Sequence, residues 1–184
     1  MSGPAPVQTP SPNTPAPGGH AIPAVAAATA IVLDVVSKRW AVEALAPMHV
    51  PHEVIGPWVR VTLAFNKGAA FGMHLGEWSR VAFGVIAVVI LGVLASLYRE
   101  TPRGEPWRRL ALALVAGGAV GNLIDRIRWS QGVVDFIDIG TTTWRFWTFN
   151  VADSAVTVGT ILLLWTMREP APAPPSPGTP EPAA

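Results

Sequence analysis

The chain has 184 residues, of which 50% are hydrophobic and 14% charged, with eight Trp and a formal net charge of +1. That composition describes an integral membrane protein, and basic residues scattered through loops argue against nucleic acid as a partner. The absence of Cys excludes disulfides, thiolate metal sites and a Cys nucleophile.

Residues 1–20 are dominated by Pro, Ala, Gly, Ser and Thr and hold too little large apolar side chain to build a core, which predicts a disordered tail. Residues 169–184 read the same way, leaving residues 21–168 as one membrane domain. Its first apolar segment, about Ile22 to Trp40, is long enough to cross a bilayer and contains Asp34 and Lys38. No Lys or Arg precedes it as a secretory signal requires, so it is expected to stay in the mature protein. At i, i+4 spacing Asp34 and Lys38 share a helix face, and a mutual salt bridge accounts for them more simply than direct catalysis.

The connection from about Ala41 to Arg80 contains Val59 to Phe65, whose strand period predicts a small sheet at the membrane surface. Asn66 to Gly72, including Gly68, is too rich in Gly and Ala for a strand core. It reads equally as a surface turn or as exposed backbone able to receive an extended peptide. A second span, about Val81 to Tyr98, is purely apolar, and the loop after it carries Arg99, Arg103, Arg108 and Arg109. Basic short loops face the cytoplasm.

The third span, about Leu110 to Ile127, brings small residues for close helix contact at Gly117, Gly118 and Gly121, then Asn122, Asp125 and Arg126. Arg126 either pairs with Asp125 to fix the end of that span or sits among lipid phosphates. Asp135 follows within Val133, Val134 and Phe136, where desolvation should raise its pKa, whereas Asp138 is expected to face water. The fourth span, about Ala152 to Met167, opens with Asn150 and Asp153, a position where a helix cap is the plain alternative to a functional carboxylate.

With four spans both termini are cytoplasmic, and Asp34, Asp125, Asp135 and Asp153 converge on the extracytoplasmic end. Carboxylates beside lipid call for a functional explanation, and two brought close tend to share one proton, leaving a base and an acid for attack of water without a metal or organic cofactor. Asn122 and Asn150 are suited to hold such a pair without adding charge. Trp58, Trp78, Trp129, Trp144 and Trp147 fit an interfacial belt, and none of His20, His49, His52 and His74 forms a His-x-x-x-His pair or lies near a Glu at metalloprotease spacing. A small four-span transporter or proton-coupled exchanger is the alternative, but it calls for an acid near mid-span.

Five motifs occur in order: Asp34-x-x-x-Lys38, Asn66-x-Gly68-x-Ala70-Phe71, Gly121-Asn122-x-x-Asp125-Arg126, Val133-Val134-Asp135-Phe136 and Phe149-Asn150-x-Ala152-Asp153-Ser154. In this order and placement the chain resembles the bacterial lipoprotein signal peptidases, signal peptidase II, from about residue 22 to residue 168. The resemblance implies an all-α membrane protein, four transmembrane helices with a small extracytoplasmic β-containing loop region, in the bacterial cytoplasmic (inner) membrane. It implies an aspartic endopeptidase with Asp135 and Asp153 as the catalytic pair, supported by Asn66, Gly68, Asn122, Asp125, Arg126, Asn150, Asp34 and Lys38. The implied substrate is a diacylglyceryl-modified prolipoprotein, cut just before the modified cysteine. The enzyme is expected to act as a monomer among membrane lipids, with no cofactor.

Overall fold

The structure, a computed structural model, describes residues 21–68 and 78–168. The two Pro-rich tails, His20, His74 and the stretch from Ala69 to Gly72 lie outside the described residues.

Four helices and three strands are present among the described residues, in the order α1 (Ala21–Ala44), β1 (His52–Ile55), β2 (Val59–Asn66), α2 (Ser79–Glu100), α3 (Pro106–Arg128), β3 (Val133–Ile139) and α4 (Val151–Thr166). Each forms where its sequence leaves little choice. Arg99 lies in the last turn of α2 and Arg126 and Arg128 in that of α3, where positive charge suits the helix dipole. Pro106 opens α3, where its missing N–H costs nothing. The capping box of Asn150 and Asp153 starts α4.

Helices α1, α2 and α3 are long and apolar enough to cross a membrane, whereas α4 is a shorter apolar helix of 16 residues. By length and composition, three of the four expected spans qualify among the described residues. Within α2 only Ser79 and Leu94 are buried. Its outward Val85, Val88 and Val89 are all more than half exposed, an arrangement that only lipid can solvate at acceptable cost.

Helix α3 is the central post, touching α1, α2 and α4. Its small residues set the distance: a methyl group at Gly118 would run into the Ala152 carbonyl and the Val156 side chain. The α3–α4 crossing is thus closer than any other residue there would allow.

The strands form one antiparallel sheet in the order β1-β2-β3, and in its register Ala64 faces Asp135 and Asn66 faces Val133. The strand expected over Val59 to Phe65 is present as β2, but β3 was not anticipated. Its residues are buried on both faces from Val133 to Phe136, so the alternation that marks a half-buried strand is missing. Ala41, Leu45, Leu63, Val134 and Phe136 form a core that seats the sheet on the end of α1. That seating brings β3 beside the start of α4.

Asp138 does not face water. It is 5% exposed, accepts hydrogen bonds from Arg60 and Thr62 at 3.2 Å, and pairs with the Arg145 guanidinium. Arg145 also donates to the Pro57 carbonyl at 2.8 Å, tying the loop after β3 to the turn between β1 and β2. Asp138 escapes the solvent because two arginines neutralise it where it lies.

Candidate active site

Two carboxylates, one buried and one half-buried, arrive from different elements. Asp135, 3% exposed, points from β3, and Asp153 from the first turn of α4. Asn150 joins them: its side-chain nitrogen donates to Asp135 Oδ1 at 2.7 Å, and its side-chain oxygen accepts from the Asp153 backbone N–H at 2.9 Å. Asp153 answers by accepting from the Asn150 backbone N–H at 3.2 Å. The residue that starts the helix therefore also holds a carboxylate of the neighbouring strand.

Asn122, from α3, completes the link. It donates to Asp153 Oδ1 at 2.8 Å, while its own oxygen accepts from Lys38 Nζ at 2.9 Å and from Asn150 at 3.2 Å. Both ends of this amide are engaged, so it has one orientation available to it.

Behind the asparagines lies a buried ionic triad. Lys38 Nζ sits 2.7 Å from Asp34 Oδ2 and 3.0 Å from Asp125 Oδ2, with Lys38 and Asp34 almost wholly enclosed. The expected Asp34–Lys38 pair is present, but Lys38 also takes Asp125, so Asp125 does not pair with Arg126. Each aspartate spends a further oxygen contact on the backbone of an element carrying the carboxylate pair: Asp34 Oδ1 accepts from Ala152 N at 2.8 Å and Asp125 Oδ2 from Val134 N at 3.0 Å. Among the described residues no three His, Cys, Asp or Glu side chains are grouped as metal ligands. The Lys38 ammonium supplies the positive charge between these carboxylates.

Arg126 donates to the Asn122 carbonyl at 3.1 Å, and its own carbonyl accepts from Arg80 at 2.6 Å. Its charge acts on Asp153, Asp135 and Asp125 without a direct ion pair. Asn66, at the end of β2 beside β3, also hydrogen-bonds the Asp135 carboxyl, and its side-chain oxygen accepts from the Gly68 N–H at 2.9 Å. Gly68 has a φ of +107°, and a methyl group there would strike the Phe83 ring. One amide of this loop is thus used internally rather than offered to a peptide.

Burial, and then the charge of Asp153, push the Asp135 carboxyl up to about 7, against the opposing pull of Asn150, Asn66 and Lys38. Asp135 helps to line a cleft of about 340 Å³ together with Ala64 to Lys67, Trp147 and Thr148. A carboxylic acid that keeps its proton near neutrality, beside a second carboxylate and open to a cleft, can work as an acid while its neighbour works as a base. All ten residues singled out from sequence fall within this one region. Sequence reasoning missed the roles of the Ala152 and Val134 amides, which no side-chain pattern reveals, and placed Trp147 only in an interfacial belt.

A family profile described as signal peptidase (SPase) II matches residues 26–168. A lipoprotein signal peptidase of Coxiella burnetii is 43% identical over 136 residues, covering 73% of this chain and 82% of that protein. One from Pseudomonas paraeruginosa is 42% identical over 139 residues, covering 74% and 81%. A solved structure of a bacterial membrane enzyme superposes with a TM-score of 0.70 at 30% identity, over 79% of this chain and 91% of that one.

Proposed function

The chain belongs to the signal peptidase II family, a multi-pass membrane protein that removes signal peptides from prolipoproteins as an aspartic-type peptidase, and from that premise we propose that Asp135 and Asp153 are its catalytic pair. The observation that carries this reading is the Asn122–Asn150 amide pair, which holds one carboxyl from β3 and one from α4 together at the mouth of a cleft.

Asp135, with its carboxyl pushed up to about 7, supplies the acid form that donates a hydrogen bond to the scissile carbonyl. Both oxygens of Asp153 face donors, the surroundings of a base, and it takes a proton from a water lying between the two carboxyls. The hydroxide so formed adds to the carbonyl carbon, and the tetrahedral oxyanion is stabilised by the Asp135 proton. Collapse breaks the C–N bond, and the proton taken by Asp153 passes to the departing amine. Asn122, Asn150 and Asn66 orient the pair, and Asp34, Lys38 and Asp125 fix the elements that carry it. Arg126 offsets the negative charge, and Gly68 lets the loop at the cleft pack against α2.

The substrate is a diacylglyceryl-modified prolipoprotein cut just before the modified cysteine, with the acyl chains and signal helix left in lipid while water enters from one side. Helix α4 serves as a fourth span: its 16 residues cover about 24 Å at 1.5 Å per residue, close to the ~30 Å hydrocarbon core once the flanking turns are added. That topology puts the site at the extracytoplasmic face of the inner membrane and both termini in the cytoplasm, with residues 21–168 sufficient for catalysis by a monomer and the Pro-rich ends outside the catalytic domain.

The test is cleavage of a lipid-modified precursor peptide by the purified protein. Asp135→Asn and Asp153→Asn should each lower turnover by ~100- to 10,000-fold, the usual worth of a positioned acid or base. The double variant should be little worse than either, because two residues acting as a unit give non-additive losses. Near-normal turnover in Asp153→Asn, or losses that multiply, would remove the shared-proton mechanism. A protein that left the peptide intact and moved protons or solutes across vesicles would be a transporter. The clustering of all four carboxylates at one end does not favour that outcome.

A further inference from the structure

The cleft before Asp135 holds one cation that hydrolysis does not use. Lys67 lines it, is exposed, and forms no ion pair among the described residues. Other cations of the sheet region are committed, since Arg60 and Arg145 both pair with Asp138. The remaining titratable group of the lining is Asp135 itself. An ammonium without an ion-pair partner among the described residues therefore overlooks the path that any peptide must take to reach the carboxyl pair.

Its position sets which peptide residue it meets. Ala64 faces Asp135 across the sheet, and Lys67 lies three residues further on, about 10 Å at ~3.3 Å per extended residue. A substrate strand advances by the same step, so with the scissile carbonyl at Asp135 the ammonium is level with the second or third residue beyond it. The side of the bond follows from solvation. The signal segment is apolar and remains with the lipid-facing helices, where an unpaired ammonium would be costly. The cleft is lined by β2, β3, Lys67, Trp147, which is 65% exposed, and Thr148, and no residue of its lining belongs to a helix.

We propose that Lys67 is a specificity-determining residue, favouring an acidic side chain at the second or third residue of the mature segment, with Trp147 as the opposing apolar wall of that subsite. The proposal rests on the peptidase reading above. It goes further by assigning a preference to the part of the substrate that stays in water.

The experiment uses the full chain in lipid and precursor lipopeptides with Asp, Asn or Lys at the second or third mature position. For the parent, kcat/KM should run Asp over Asn over Lys, each step about two- to fivefold, the range of an exposed ion pair. Lys67→Glu should invert the order and Lys67→Gln should flatten it. Salt at ~1 M, where the Debye length is about 3 Å, should compress the parent's preference. An order unchanged among the three proteins would overturn the proposal, as would a preference that follows charge only on the signal side. So would a Lys67→Glu effect that scales with anionic lipid in the vesicle and ignores peptide charge, since Lys67 would then touch the membrane. Cleavage without charge preference defeats the subsite alone, whereas no cleavage of any peptide by the parent defeats the peptidase reading and the subsite with it.

Discussion

Replacing Lys38 by Met keeps an unbranched side chain one atom shorter and removes one charge from the centre of the site. Lys38 is 2% exposed and holds Asp34 at 2.7 Å, Asp125 at 3.0 Å and the Asn122 oxygen at 2.9 Å. Without it two enclosed carboxylates face each other with no cation between them. Breaking a buried ion pair by removing one partner costs about 3–5 kcal/mol, mostly from the charge left behind. Unfolding in detergent, followed by Trp fluorescence, should show a loss of that size. Turnover should fall as well, because Asn122 loses the donor that fixes its amide and Asp153 loses its alignment. Converting the stranded carboxylates to amides, as Lys38→Met with Asp34→Asn and Asp125→Asn, should recover most of the stability. Each Asn still offers an oxygen to the Ala152 or Val134 N–H, and neutral replacement of a whole buried ion group is often tolerated. If Lys38→Met stayed within about 0.5 kcal/mol of the parent, the range of an ordinary surface change, or if the triple variant were no more stable than the single one, the triad would not be what holds the two elements together.

With its carboxyl raised to about 7, Asp135 keeps a proton in the folded protein that the unfolded chain releases near its ordinary value of about 3.9. The folded state then binds more protons, so this group makes stability fall as pH rises from about 4 to about 7, and Asp135→Asn should flatten that slope in unfolding measured across pH. The same ionisation should give kcat/KM an alkaline limb near pH 7. Asp138→Asn should lower stability by about 1–3 kcal/mol, by leaving Arg60 and Arg145 against a neutral amide, while turnover per folded molecule changes little. Because the chain lacks Cys, single cysteines introduced at Glu43 or Gln131 should react with an impermeant reagent from outside the cell and one at Glu105 should not. The reverse pattern would invert the proposed topology.

The helices, and the polar side chains that gather around the carboxylate pair, were legible because both are written locally. A long apolar run allows one solution in lipid, and an aspartate beside such a run stands out. What depended on partners distant in sequence was not legible. Asp138 looked like a solvent residue because nothing near it in sequence says that Arg60, 78 positions earlier, will meet it. Adjacency suggested Arg126 for Asp125, yet Lys38 reaches Asp125 from another helix and takes the contact. The strand β3 was hidden because burial on both faces erases the alternation by which strands are read. The Asn122–Asn150 contact follows from the close α3–α4 approach at Gly118, a distance that residue types hint at without fixing.

The placement of Asp34 and Lys38 one turn apart has a consequence for how the protein is made. A lone charge entering the bilayer on α1 would have to wait in water for Asp125, which is synthesised 87 residues after Lys38. An i, i+4 pair carries its own counterion, so α1 can partition into lipid as an almost neutral rod before α3 exists. When α3 arrives, the ammonium need only share itself with a second carboxylate across a helix contact that small residues have left open. The first helix inserted thus carries in advance the charge around which the later elements assemble.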